Sequence, residues 1–145
     1  MVELLLVCVI LSILASIAVP AYLQFRDNAY KKAASANAQE VVVDAASYGE
    51  DNYPGSSRDP DKATSTSDSG YQGMTLAELR AQYDTGLSSQ VYVNNSGSDA
   101  AGVTTRATLD ATHYCIYATA GRWFVYQLNP TGQLLATTSA SAVCT

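Results

Sequence analysis

Residues 3–22 read ELLLVCVILSILASIAVPAY, and the reading of this stretch decides the fold. A lone carboxylate, Glu3, opens it. From Leu4 to Ala21 the only polar side chains are the hydroxyls of Ser12 and Ser16, small enough to bond back to helix carbonyls. With Tyr22 and Leu23 the apolar run reaches about 20 residues, enough for a helix to cross a hydrocarbon core of roughly 30 Å. Apolar residues fall all round the helix, so no face is left for water. A buried core helix fits poorly, because the rest of the chain is too small to surround it. A cleaved signal peptide also fits poorly: no basic residue precedes the run, and no small-x-small site ends it. Tyr22, Phe25 and Arg26 mark a membrane–water boundary.

Two residues break the apolar rule. Pro20 lacks an N–H, and its ring crowds the carbonyl of Ser16, so a kink or weak point is expected there. The Ser16 hydroxyl is placed to help satisfy the loosened backbone. Glu3 is a carboxylate at the apolar end of a membrane helix, which is costly. It either snorkels to the surface or meets a cation or a neighbouring chain's amine.

The composition beyond this stretch is of another kind. The chain has 145 residues, which is room for one domain of ordinary size. With 48% hydrophobic and 14% charged residues, disorder is excluded as the main state. Up to Phe25 the only charge is Glu3; every other charge lies from Arg26 onward. The net charge of −5 is the wrong sign for a general nucleic-acid binder. A single histidine, His113, excludes a His-based metal cage.

The run Glu3-Leu4-Leu5-Leu6-Val7 through Ile17-Ala18-Val19-Pro20-Ala21-Tyr22 resembles the N-terminal helix of type IV pilins and of the type II secretion pseudopilins. A lone Glu, an uninterrupted apolar helix and a Pro seventeen residues after the Glu form that family's signature. The close match covers the first 25 residues or so. The resemblance implies an aromatic and a Thr ahead of Met1, with a leader removed by a prepilin peptidase acting upstream. Met1 then corresponds to the third mature position, and not to the residue the family methylates. Ser12 stands where the family often has Gly. In filaments of relatives the helix loosens between that place and the Pro, which makes Ser12, Ser16 and Pro20 the candidate melted segment. Ser12 and Ser16 also form a small-xxx-small pair that lets helices approach closely.

Downstream, Tyr30, Ala34, Ala38 (or Asn37), Val41, Ala45 and Tyr48 recur at three-to-four spacing, with Asp27, Lys31, Ser35, Gln39 and Asp44 off the stripe. The helix therefore continues as an amphipathic second half, and Gly49 is expected to end it. Residues 50–71 are rich in Gly, Pro, Ser, Thr and Asp and read as a surface loop. Ser65, Thr66, Ser67 and Ser69 are its candidate acceptors for O-linked sugar, against the plainer reading of a bare solvated loop. Asp59 and Asp61 lack the spacing of a calcium loop. Thr75-x-x-Glu78 is a capping box that opens a short helix. Strands are expected at 90–94, 113–118, 123–128 and 134–136, with turns at Ala120-Gly121 and Asn129-Pro130-Thr131-Gly132. Asn94-Asn95-Ser96 matches an N-glycosylation acceptor, a pattern short enough to arise by chance.

Cys8 reads as a small packing residue in the membrane helix. That leaves Cys115 and Cys144 in an extracytoplasmic domain, where a disulfide is the natural reading. In pilins such a cystine bounds a variable outward-facing region, here 116–143. No catalytic constellation, cofactor motif or metal set is present. His113 has Asp110 three residues away but no G-x-S-x-G elbow accompanies it.

The expectation is an α+β chain. A long N-terminal α-helix, hydrophobic then amphipathic, packs on a C-terminal antiparallel β-meander of roughly three to five strands, the pilin fold. Residues 1–25 form a transmembrane or filament-core helix. Residues 26–145 form the head: 26–48 the second half of the helix, 49–88 a helix-to-sheet loop with a short helix, and 89–145 the sheet and the cystine-bounded region. The resemblance implies a structural subunit of a type IV pilus, serving adhesion, motility or DNA uptake. Its implied partners are further copies of itself in a helical homopolymer, an assembly machine with an ATPase and membrane platform, and the cytoplasmic membrane before assembly. The final location is an extracellular pilus on a bacterial surface. Glu3 would pair with a neighbouring subunit's N-terminus. A pseudopilin is the alternative, although no Asp or Glu follows Asp110 to build the C-terminal calcium site usual there. A minor or tip pilin binding DNA or a host surface is another, with Arg80, Arg106 or Arg122 as a local patch.

Overall fold

The computed structural model describes residues 2–60, 69–93, 100–103 and 109–145. Helix α1 runs without interruption from Val2 to Asp51, 50 residues, or about 75 Å at 1.5 Å per residue. No residue of its first half is buried. In its second half Ala34, Ala38, Val41, Ala45 and Tyr48 are buried at alternating steps of four and three, which aligns them as one stripe. Three of these five are alanines, so the sheet can approach the helix backbone closely.

The end of α1 departs from expectation. Gly49 lies inside the helix and does not stop it. A Cβ there would sit 2.6 Å from the Tyr71 ring, so glycine makes room for a packed aromatic. The stop is supplied by Asn52, which is buried. Its side-chain amide donates to the carbonyls of Gly70 (3.0 Å) and Gln72 (2.9 Å), and its own carbonyl accepts from Gly70 N–H (2.9 Å). One side chain thus ties the helix end to the segment that returns toward the sheet.

Helix α2, Leu76–Gln82, is capped as its sequence requires. Thr75 Oγ1 accepts from Glu78 N–H (3.2 Å), and Glu78 Oε2 accepts from Thr75 N–H (3.0 Å). Leu79 enters the core, and the Gln82 side-chain amide donates to the Pro60 carbonyl.

Four strands follow: β1 Val91–Val93, β2 Cys115–Ala120, β3 Trp123–Leu128 and β4 Leu135–Thr137. They pair antiparallel in sequence order. β2 begins two residues later than expected because His113 is held in a turn, its N–H donating to Asp110 Oδ1 (2.8 Å). The β2–β3 connection is centred on Gly121-Arg122, with Ala120 facing Trp123. Gly121 has φ +57°, the conformation a two-residue hairpin needs at its first central position. β4 sits one residue later than expected. Residues 129–132 form the expected turn, closed by Gly132 N–H on the Asn129 carbonyl (3.1 Å).

The alternation of strand side chains builds two cores. Val91, Val93, Ile116, Ala118 and Val125 face the α1 stripe and complete a core with Tyr71, Met74, Leu79, Leu87 and Tyr114. On the other face, Cys115, Tyr117 and Tyr126 pack with Val143 and Cys144. The Tyr92 and Tyr117 rings stack there with centroids 5.0 Å apart. Strand β2 is therefore buried on both sides. The C-terminal tail, through a short 3-10 helix Ala140–Ala142, covers the face that a two-layer α/β sandwich would leave wet.

Candidate functional site

The dominant surface feature is the apolar shaft. No residue of its most apolar window is buried, and α1 is long and apolar enough to cross a membrane. Leu4 is 72% exposed, Ile17 70% and Phe25 76%. Burying a side chain of this size is worth about 1.5–3 kcal/mol, so a shaft presenting many of them requires an apolar surrounding.

Glu3 lies in the first turn of α1, the end where a carboxylate meets the positive end of the helix dipole. Ser12 Oγ donates to the Val9 carbonyl (2.8 Å) and Ser16 Oγ to the Ile13 carbonyl (2.7 Å). Ser16 therefore does not compensate the backbone that Pro20 loosens, because its hydroxyl is turned one helical turn toward the N-terminus. Pro20 sits inside a continuous helix, so the expected weak point is not a break in the isolated chain. What remains of it is local: the Ser16 carbonyl has lost its usual donor. Cys8 is a free thiol, exposed on the shaft.

Where the shaft meets the head, a clasp forms that the sequence did not reveal. Arg122, at the β2–β3 turn, donates from Nε to Asp27 Oδ1 (2.8 Å) and from a terminal nitrogen to Oδ2 (2.9 Å). This two-point geometry suits a guanidinium against a carboxylate. The Arg122 bond, more than any other contact, holds the Asp27 carboxyl below its ordinary range and raises Arg122 in turn. Lys31 Nζ lies 4.9 Å and the Arg122 guanidinium 5.9 Å from the centre of the Trp123 ring. Beside the clasp, Leu23, Arg26, Asp27, Tyr30, Gly121 and Arg122 line a cleft of about 430 Å³. The clasp joins residues 95 positions apart, and no local pattern announces such a pair. Arg122, a candidate for a local DNA-binding patch, makes this contact while its side chain stays 69% exposed. Arg80 donates to the Ser88 carbonyl (2.8 Å), and Arg106 lies outside the described residues.

Cys115 and Cys144 form a disulfide, with Cα atoms 5.9 Å apart. It fixes the tail to the outer face of the sheet at the start of β2. Of the sugar-acceptor candidates, Ser69 is described and its N–H donates to Gln72 Oε1 (3.0 Å). Ser65, Thr66 and Ser67 lie outside the described residues, as do Asp61 and the 94–96 acceptor pattern.

His113 and Asp110 are joined at 2.8 Å on an exposed turn. The Thr112 backbone N–H, then the His113 ring, pull the Asp110 carboxyl down to about 2. Thr112 Oγ1 contacts the same Nδ1 at 2.9 Å, and Thr112 and His113 line an open cavity of about 400 Å³ with Tyr71, Asn129 and Pro130. Among the described residues no three His, Cys, Asp or Glu side chains converge as metal ligands. Comparison with protein-family models, with curated proteins and with solved structures finds no match.

Proposed function

We propose that this chain is a structural subunit of a type IV pilus or a closely related filament. The observation that carries the reading is one continuous helix with two environments: a bare apolar shaft bearing a single carboxylate, and an amphipathic half that is the spine of a cystine-stapled head. A membrane anchor alone accounts for the apolar length. It does not account for Glu3 seventeen residues before Pro20, which the pilin signature does.

In this reading the shaft holds the subunit in the cytoplasmic membrane until an ATPase-driven platform passes it to a growing filament. Shafts then bury one another and the heads face outward. Glu3 pairs with the N-terminal amine of a neighbouring subunit, which offsets its desolvation and sets axial register. Removing one partner of such a buried pair costs about 3–5 kcal/mol. Glu3→Gln and Glu3→Ala are therefore expected to abolish or greatly reduce assembly while leaving the head folded.

The test is electron cryo-microscopy of filaments sheared from producing cells, with side chains traced against this sequence. Thin filaments with Glu3 in the core beside the next N-terminus support the proposal, and normal pili from Glu3→Ala would sink that role. Filaments found only on overexpression of a secretion system would make the chain a pseudopilin. Absence from sheared filaments would move it to a minor tip subunit that binds DNA or a host surface.

A further inference from the structure

The head is acidic, yet its first turns are not. Arg26, Lys31 and Lys32 follow the apolar run directly, and all three are exposed. Among the described residues none of them is within ion-pair distance of a carboxylate; Arg26 acts on Asp27 only at longer range, and the close partner of Asp27 is Arg122. Among the described residues three cations thus stand without a close counter-charge, on a chain whose net charge is −5.

Their arrangement is informative. At 100° per residue, Arg26, Lys31 and Lys32 point in directions about 140°, 100° and 120° apart around the helix. That is a ring. A protein or nucleic-acid partner approaching from one side would meet at most two of them. A surface that the helix pierces would meet all three. Their axial spread is about 9 Å, a few ångströms more than the roughly 5–7 Å of one headgroup layer, a difference that long Lys and Arg side chains span by bending toward the phosphates. Tyr30 lies between these cations in sequence and Trp123 lies against Lys31, with Tyr22 and Phe25 just below on the apolar side, and amphipathic rings favour the membrane–water interface.

We propose that Arg26, Lys31 and Lys32 form a cationic collar that binds the phosphates of anionic phospholipids in the leaflet from which the head emerges. The inference rests on the reading of residues 2–23 as a membrane helix. In it, the Asp27–Arg122 clasp has a second role. It neutralises Asp27, the carboxylate that α1 carries among these cations and that would repel the headgroups, and it holds the Trp123 hairpin tip down at the collar.

The protein carries its own reporter, since Trp123 is its single tryptophan. The full chain is reconstituted into phosphatidylcholine vesicles, and into vesicles in which about a third of the lipid is phosphatidylglycerol. Trp123 fluorescence is then quenched with acrylamide, a neutral quencher that an anionic surface does not repel, and separately with headgroup-labelled lipid. The expected result is insertion into both, with acrylamide quenching lower by about twofold and headgroup quenching stronger in the anionic vesicles. Salt at about 0.5 M should erase the difference. Arg26→Glu/Lys32→Glu, which leaves the two cations over Trp123 in place, should erase it too. Insertion with quenching indifferent to phosphatidylglycerol would overturn the collar and leave the membrane helix standing. A chain that floats free of both vesicles would overturn both. A difference that survives in Arg26→Glu/Lys32→Glu would also overturn the collar, and circular dichroism of that variant shows that its helix and sheet are intact.

Discussion

At the scale of single residues, the head is tuned by a few carboxylates whose surroundings pull in opposite directions. Asp110 and Asp27 are held below their ordinary range by hydrogen bonds formed only in the fold. Their contribution to stability is complete above the unfolded carboxylate value and is lost as pH falls through the folded one. Acid unfolding should therefore steepen from about pH 4 toward pH 2, and Asp110→Asn should flatten that limb in thermal melts recorded across the range. Asp44 is the reverse case. Burial raises it first, and the nearby charges of Asp84 and Glu40 raise it further. One of its oxygens is buried without a partner. Its ionised form costs the fold at neutral pH, so Asp44→Asn should raise the melting temperature at pH 7 and lose that advantage in acid. Gly121 supplies a different prediction. A Cβ there would lie 2.8 Å from the Tyr30 ring, at a positive φ that side chains resist. Gly121→Val should cost about 1–3 kcal/mol in urea denaturation, and Tyr30→Ala in the same chain should recover part of it.

At the scale of elements, the sequence was most readable where a pattern had one period and one cause. The apolar run, the 30-34-38-41-45-48 stripe and the Thr75–Glu78 box are local, and each became the element its pattern implies, except that Tyr30 at the head of the stripe stays 40% exposed because the sheet meets it only at the Gly121 turn. Errors came where a tertiary contact overrode a local signal. Gly49 reads as a helix stop, yet it admits Tyr71, and Asn52 makes the stop with bonds to residues 18 and 20 positions away. His113 reads as strand, but the Asp110 carboxylate holds it in a turn. The clasp of Asp27 and Arg122 had no sequence signal at all. The cystine was legible by counting, and its weight can be measured. The chain-entropy model gives about 3–4 kcal/mol for a closed loop of this size, so Cys115→Ser/Cys144→Ser should lose about that much and free the tail from Tyr117 and Tyr126. Proteolysis cutting first within the last few residues would be the sign. Thr75→Ala should cost about 1 kcal/mol through the lost cap.

At the scale of the molecule, the two halves make opposite demands on solvent. The chain with its apolar shaft should need detergent or lipid to stay dispersed, whereas a fragment from residue 26 onward should remain in solution, as sedimentation in buffer alone would show. The halves are nevertheless one rod. Because α1 passes from shaft to head without a break, and the clasp adds a second attachment at the junction, the head cannot swivel freely on its stem. Its compass bearing is inherited from the shaft. Whatever fixes the rotation of the apolar half, whether lipid or neighbouring helices, also selects which side of the sheet looks outward. One residue inserted between Leu23 and Arg26 would swing the head by about 100° and lift it by about 1.5 Å, whereas seven residues would return it to within about 20° of its first bearing. Insertions there would act as a dial, changing which epitopes an antibody finds without altering a single residue of the head.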